Sequence, residues 1–156
     1  MQKFEIPSEL NAFLTLQKSK RKNIGFIPTM GSLHEGHLSL IRKSQAQNDL
    51  TIVSIYVNPS QFNDKNDFIH YPKNIKQDLM LLKQINCDIV FIPKTEDMYV
   101  GGFKPISIKL KNLNLILESS KRPGHFEGVI FIVYQLFKII MPDRAYFGEK
   151  DFQQLL

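Results

Sequence analysis

Three short apolar runs, residues 23–28 (NIGFIP), 50–57 (LTIVSIYV) and 88–93 (DIVFIP), constrain what this chain can fold into more than any other feature. Each is rich in Val, Ile or Phe and ends at a polar residue or a proline, and each reads as a short strand buried within a sheet. Between them, residues 34–47 and 72–86 carry apolar side chains at spacings of three and four (Leu38 and Ile41; Ile75, Leu79 and Leu82), with Pro72 at the start of the second. That spacing predicts two amphipathic helices. Strand, helix, strand, helix, strand in this order requires right-handed crossovers and a parallel sheet with helices on both faces. The expected fold class is therefore α/β, a Rossmann-like doubly wound parallel sheet. Near Gly101 the rhythm breaks. Residues 104–110 (KPISIKL) alternate like an exposed antiparallel strand, which implies a small antiparallel insertion near 100–115. Residues 127–141 then resume as a strongly apolar helix, and residues 145–147 form a fourth parallel strand running into Gly148, Glu149, Lys150 and Asp151.

Size and composition fit one domain over residues 1–156, because 43% hydrophobic residues suffice for a core and no repeat, linker or low-complexity tract divides the chain. The single cysteine, Cys87, excludes an intrachain disulfide framework and suits a reducing compartment, so a cytoplasmic location is expected. No apolar run approaches the roughly 18 residues of a membrane span, and the N-terminus carries no signal-peptide pattern. A net charge of +5 favours anionic ligands. The 20 Lys and Arg residues are nonetheless spread along the chain, and the densest group, Lys18, Lys20, Arg21 and Lys22, reads as a solvated helix end. Basic residues are not interleaved with aromatics on any segment, which speaks against nucleic acid as a partner.

In sheets of this kind ligands sit beyond the carboxyl ends of the strands, and the chemically suggestive segments all fall there. The first strand delivers Pro28, Met30, Gly31 and the stretch Ser32, Leu33, His34, Glu35, Gly36, His37; the second delivers Asn58 and Gln61; the third delivers Pro93 and Lys94; the fourth delivers Gly148 to Asp151. A helix N-terminus offers unpaired backbone N–H groups and the positive end of its dipole, so residues 30–37 predict an anion site. Gly31 and Gly36 are expected to let a phosphate approach the backbone. His34 and His37, three apart, share a helical face and can both donate to one phosphate. Neither GxxxxGK[ST] nor GxGxxG occurs. Two readings stay open beside the phosphate site: a metal centre, which would need a further ligand such as His70, His125 or Cys87, and two incidental surface histidines.

The motif His34-Glu35-Gly36-His37 carries the H-x-G-H signature of the nucleotidyltransferase superfamily. The longer string PTMGSLHEGH (28–37), with VNPSQF (57–62), YPK (71–73), RPGHFEGV (122–129) and FGEKDFQQL (147–155), closely resembles the pantothenate synthetase (pantoate–β-alanine ligase) family of coenzyme A biosynthesis. The resemblance implies a ligase that uses ATP as co-substrate with Mg²⁺. Pantoate attacks the α-phosphate to give pantoyl adenylate and pyrophosphate, and the amine of β-alanine then displaces AMP. It further implies that residues 30–37 and 148–151 bind ATP, with His34, His37 and Lys150 as the catalytic groups and His37 in the position usually labelled proton donor. Lys150 would hold the phosphates from the opposite side, and Asp151 the ribose hydroxyls.

The same resemblance places Gln61 and Gln154 on pantoate, Pro28 and Met30 beside its gem-dimethyl group, and Asn58 nearby. Gln side chains both donate and accept, which suits a dihydroxy acid. Asp78 is a candidate for holding Mg²⁺ through water, although an Asp on a Lys-rich helix also reads as part of a solvated face. Arg122, His125 and Glu118 form a second polar group near the mouth. Members of the family are homodimers and continue beyond the FGEKDFQQL motif into a further strand, a second nucleotide loop and a small C-terminal lid domain. The chain thus resembles the N-terminal domain of that family. The alternatives are a non-catalytic ligand-binding fragment of such an enzyme and another H-x-G-H adenylyltransferase, which would have no reason to carry the two glutamines.

Overall fold

Residues Ile24–Thr29 form a strand, β2, with five of its six residues buried, and the rest of the molecule is arranged around it. The computed structural model describes residues 1–103 and 125–148. Their elements run β1 (Gln2–Phe4), α1 (Pro7–Ser19), β2, α2 (Glu35–Gln47), β3 (Leu50–Ile55), a 3₁₀ turn (Pro59–Gln61), α3 (Lys65–His70), α4 (Ile75–Gln84), β4 (Ile89–Phe91), α5 (Thr95–Met98), α6 (His125–Ile140) and β5 (Arg144–Ala145). The strands form one sheet in the order β1-β4-β3-β2-β5, and every pairing is parallel. From β2 the chain steps outward through β3 and β4, then returns to the other edge of β2 with β5. The strand order reverses between β2 and β5, which is where a crevice for ligands opens in a doubly wound sheet.

Alternation along the strands supplies two cores. Phe26, Ile52 and Phe91 face α1 and α6, packing with Leu10, Leu14 and Leu136. Ile27, Val53 and Val90 face α2 and α4, packing with Ile41 and Leu82. At the lower end of the sheet, aspartates accept from strand backbone: Asp143 from Ile24 N–H, Asp88 from Thr51 N–H and Asp49 from Asn23 N–H, each at 2.8 Å. Helix α2 rests close on β2 because position 25 is glycine. A Cβ there would lie 2.1 Å from Ser44 Oγ and 2.5 Å from Asn48 Nδ2. Ser44 Oγ in turn shares a hydrogen bond with Thr51 Oγ1 at 2.8 Å, and Asn48 Nδ2 donates to Tyr146 OH at 2.7 Å.

The parallel sheet with helices on both faces agrees with the sequence reading. Several boundaries differ. The second predicted helix begins at Ile75 rather than Pro72, because Asn74 caps it through Oδ1, which accepts from Gln77 N–H at 3.2 Å. Strand β5 covers only Arg144–Ala145, earlier than residues 145–147. β1 and the short α3 and α5 carried no periodic signal that three to six residues could register. The proposed antiparallel segment at 104–110 lies outside the described residues. The basic group after α1 is solvated at Lys20, Arg21 and Lys22, as expected, while Lys18 Nζ donates to the Met141 carbonyl. Among the described residues no helix is long and apolar enough to cross a membrane.

The contact at Gly25 gives a direct check on how α2 is seated. Gly25→Ala is expected to destabilise the fold by roughly 1–3 kcal/mol through overpacking against Ser44 and Asn48. The measurement is the denaturant midpoint at constant m-value, and an unchanged midpoint would show that the helix has room to shift.

Candidate active site

The loop that leaves β2 is held almost entirely by its own neighbourhood. Thr29 Oγ1 donates to the Ser54 carbonyl at 2.7 Å and accepts from Gly31 N–H at 3.1 Å. Ser32 N–H donates to Asp78 Oδ2 at 3.0 Å and Leu33 N–H to Asp78 Oδ1 at 2.8 Å. Ser32 Oγ donates to the Pro72 carbonyl at 2.8 Å. The backbone turns through the left-handed region at Gly31 (φ 83°) and again at Ser32 (φ 50°). Glycine at 31 is required twice over, since a Cβ there would also stand 2.9 Å from Asp78 Oδ2.

The two histidines build a reciprocal cap on α2. His34 is the N-cap residue, and its Nδ1 accepts from Gly36 N–H at 3.1 Å; His37 Nδ1 accepts from His34 N–H at 3.4 Å. A neutral imidazole whose Nδ1 accepts carries its proton on Nε2. Both rings are therefore set as Nε2–H donors, with centroids 4.2 Å apart. Their association on one face of the helix start agrees with the sequence reading. Two observations refine the reading. Gly36 also leaves room for the His34 ring, which a Cβ would meet at 2.9 Å. The backbone N–H groups of Gly31, Ser32, Leu33, His34 and Gly36 are all engaged within the protein, so the loop does not offer them as an open anion nest.

Gln61 reaches the start of the same loop from the end of β3. It ends the 3₁₀ turn Pro59–Gln61, is buried, and donates from Nε2 to Met30 Sδ. The turn is fixed from beneath. Asn58, fully buried, donates from Nδ2 to the Gly128 carbonyl of α6 at 2.9 Å and accepts at Oδ1 from Tyr99 OH and Ser60 Oγ. Gly128 permits this close approach, because a Cβ would lie 2.5 Å from the Ser60 carbonyl oxygen. The structure thus gives Asn58 a supporting place under Gln61. Tyr99 and Gly128 were not singled out from the sequence; a glycine inside an otherwise apolar helix was the available signal.

A cleft of about 400 Å³ opens beside this loop at the carboxyl ends of β2, β3 and β4, lined among others by Met30, Tyr56, Asp78, Lys73 and Lys94. Pro28 and Met30 are half-buried, and Lys94 is exposed. Burial pushes the Tyr56 phenol up to about 12, with its bond to Thr95 opposing the shift. Burial, and then the Asp78 carboxylate, raise Tyr71. Asp78 itself is 1% exposed, so it does not belong to a solvated face. Glu35 pairs with Arg42 on the outer surface of α2, and that partner holds its carboxyl below the usual range.

Gly148 is half-buried just beyond β5. Glu149, Lys150, Asp151 and Gln154, with Glu118 and Arg122, lie outside the described residues. Among the described residues no three His, Cys, Asp or Glu side chains gather to hold a metal ion. A second cleft of similar size, about 410 Å³, lies at the opposite ends of the strands around Cys87, Asp88 and Lys83. Burial pushes the Cys87 thiol up to about 12 and keeps it protonated. None of the motif residues reaches that cleft.

Comparison with known proteins agrees with this geometry. A model of the pantoate–β-alanine ligase family matches residues 2–156. The pantoate–β-alanine ligase of Francisella tularensis, solved in complex with βγ ATP and β-alanine, is 42% identical, with a TM-score of 0.90 over 99% of this chain and 59% of that one. The pantothenate synthetase of Thermus thermophilus is 41% identical, with a TM-score of 0.89 over 99% of this chain and 54% of that one. The chain spans little more than half the length of these relatives.

The histidine cap is directly observable. Long-range ¹⁵N–¹H spectra of the ring nitrogens at mildly alkaline pH should show both His34 and His37 protonated at Nε2. An Nδ1–H tautomer at either ring would contradict the cap.

Proposed function

The chain belongs to the pantoate–β-alanine ligase family, and from that premise we propose that it forms the part of such an enzyme that binds pantoate and ATP and joins them as pantoyl adenylate, before β-alanine takes the acyl group. The observation that supports the proposal is the pair of histidine rings capping the start of α2, together with Gln61 at the neighbouring strand end, which donates to Met30 in the loop that leads to them. Acid activation needs an anion held beside a polar, apolar-walled slot for the acid. The switch-point side of β2 supplies both.

In the first step a carboxylate oxygen of pantoate attacks the α-phosphorus of ATP. The bond from that phosphorus to the bridging oxygen breaks, and pyrophosphate leaves with the electron pair. Proton transfer contributes little, because pyrophosphate is a stable anion. What accelerates the step is in-line positioning and donors aimed at growing negative charge. The imidazoles of His34 and His37 fill that role, with tautomers fixed in advance by the backbone they cap. In the second step the free amine of β-alanine attacks the acyl carbon, AMP departs with the acyl–oxygen electron pair, and the nitrogen gives up its proton to solvent. Gln61 pairs with a hydroxyl or the carboxylate of pantoate, and Met30 lies against its methyl groups. By the family motif, Gln154 joins Gln61 on pantoate, while Lys150 and Asp151 take the phosphates and ribose.

Magnesium enters as part of the nucleotide substrate. Both oxygens of Asp78 accept backbone N–H groups, and among the described residues no three His, Cys, Asp or Glu side chains gather to hold the ion directly, so any hold of Asp78 on it would run through water.

The test is exchange of labelled pyrophosphate into ATP by the full-length protein, which should depend on pantoate and not on a nucleotide or phosphopantetheine acceptor. Exchange driven by either of those acceptors in place of pantoate would refute the proposal. Within it, His37→Ala should slow adenylate formation on the order of 10²- to 10³-fold while pantoate binding changes little. Unimpaired single-turnover adenylation in that variant would remove the histidine from the mechanism. Gln61→Ala leaves a polar group of pantoate unpaired, a loss of roughly 1–3 kcal/mol, and should raise the KM for pantoate without moving that for ATP. A shift confined to the ATP KM would assign Gln61 elsewhere.

A further inference from the structure

We infer that Asp78 is a positioning residue for the proposed adenylation: its carboxylate clamps the backbone between β2 and α2 and so sets where the two histidine rings stand. The inference rests on the function proposed above for what the rings do, but the clamp itself is a matter of geometry.

Asp78 lies 46 and 45 positions along the chain from the two residues it holds, and it accepts from both with separate oxygens. It is 1% exposed, with no ion pair to a Lys or Arg among the described residues. A buried carboxylate without a cation must be stabilised by hydrogen bonds, and two backbone N–H groups from one short loop do that here. The loop needs the clamp in return. Ser32 is a non-glycine residue at φ 50°, a strained conformation that persists only where the surroundings over-determine it. Its N–H is fixed by Asp78 and its hydroxyl by the Pro72 carbonyl. Both anchors belong to α4 and the segment leading into it. Helix α4 is itself held to the sheet through the fully buried Leu82, and its first turn is closed by the Asp78 N–H bond to the Asn74 carbonyl at 3.0 Å. The position of His34, one residue beyond Leu33, is therefore dictated by a helix that joins β3 to β4.

The arrangement also has an electrostatic sense. Ser32 and Leu33 N–H groups, left unpaired, would draw an anion onto the backbone before the helix start. With those donors taken by Asp78, the backbone of Ser32 and Leu33 does not compete for an anion.

The experiment compares Asp78→Asn and Gly31→Ala, singly and together, in the full-length protein. Asp78→Asn sets amide hydrogens against one of the two loop N–H groups. Gly31→Ala keeps the carboxylate but disturbs the turn it holds, both by straining the backbone at φ 83° and by standing a Cβ 2.9 Å from Oδ2. Three results are expected. Hydrogen exchange at Ser32 and Leu33 N–H accelerates in each variant, with the melting transition still cooperative. Adenylate formation falls about 10²-fold, as a displacement near 1 Å can produce, with the pantoate KM within threefold of wild type because Gln61 is anchored elsewhere. The double variant loses little more than either single, as for two changes to one interaction.

Unchanged amide protection in Asp78→Asn would overturn the clamp. So would losses that add across the two variants, or activity of Asp78→Asn restored by raised magnesium, which would make the carboxylate a metal ligand. Should Asp78→Asn lose its cooperative transition, Gly31→Ala decides alone: wild-type adenylation with wild-type amide protection refutes the inference. A wild-type protein that shows no pantoate-dependent exchange would refute the proposed function and leave the clamp to be judged on amide exchange.

Discussion

Strand β2 is buried on both faces and paired along both edges, and that double commitment organises everything else in the molecule. Its register with β3 runs from Ile24 opposite Leu50 to Thr29 opposite Ile55, and β5 takes its other edge. Phe26 and Ile27, adjacent in sequence, belong to opposite cores. A slip of one residue would exchange those faces and bury the wrong side chains. Because β2 is fixed in this way, the point at which the chain leaves it is fixed too, and the crevice of the switch point opens there.

Around that exit the protein uses its polar groups on itself before any ligand. Carboxylate, hydroxyl and imidazole acceptors take the N–H groups of Gly31, Ser32, Leu33, His34 and Gly36. The H-x-G-H motif is thereby a structural device, whatever chemistry it also serves in the proposed reaction. Its first histidine caps the helix, its glycine makes room for that histidine's ring, and its second histidine closes the box. Donors held in advance need no reorganisation when charge develops on a substrate, and that is the condition under which a hydrogen bond contributes most to a rate.

A second buried polar group performs the same service for the neighbouring strand end. Asn58, Ser60 and Tyr99 bind one another and the Gly128 carbonyl, so the turn that ends at Gln61 is tied to both α5 and α6. Packing links the two sites. Helix α6 covers the face of the sheet that bears Phe26, while α4 covers the face that bears Ile27. Gln61 and the histidine loop are thus supported from opposite sides of one sheet and meet at Met30.

The alternation of apolar strands with helical periods was legible in residues 23–93, because periodicity and β-branched runs report burial directly. So were the pairing of His34 with His37 and the approach of Gln61 to the loop after β2, because the carboxyl ends of parallel strands face one way whatever lies between them. The sequence by itself determined the fold class, the family and the strand ends from which chemistry is presented. Only the tertiary structure decided what each polar residue does there. Asp78 on a Lys-rich stretch looks solvated until α4 is laid across the loop of Gly31, and Asn58 before a proline looks like a turn former until Gly128 arrives from 70 residues away. The reason is physical: local sequence fixes a residue's conformation and which face it occupies, whereas the partner of a buried hydrogen-bonding group is supplied by whichever distant segment the packing of the sheet brings against it.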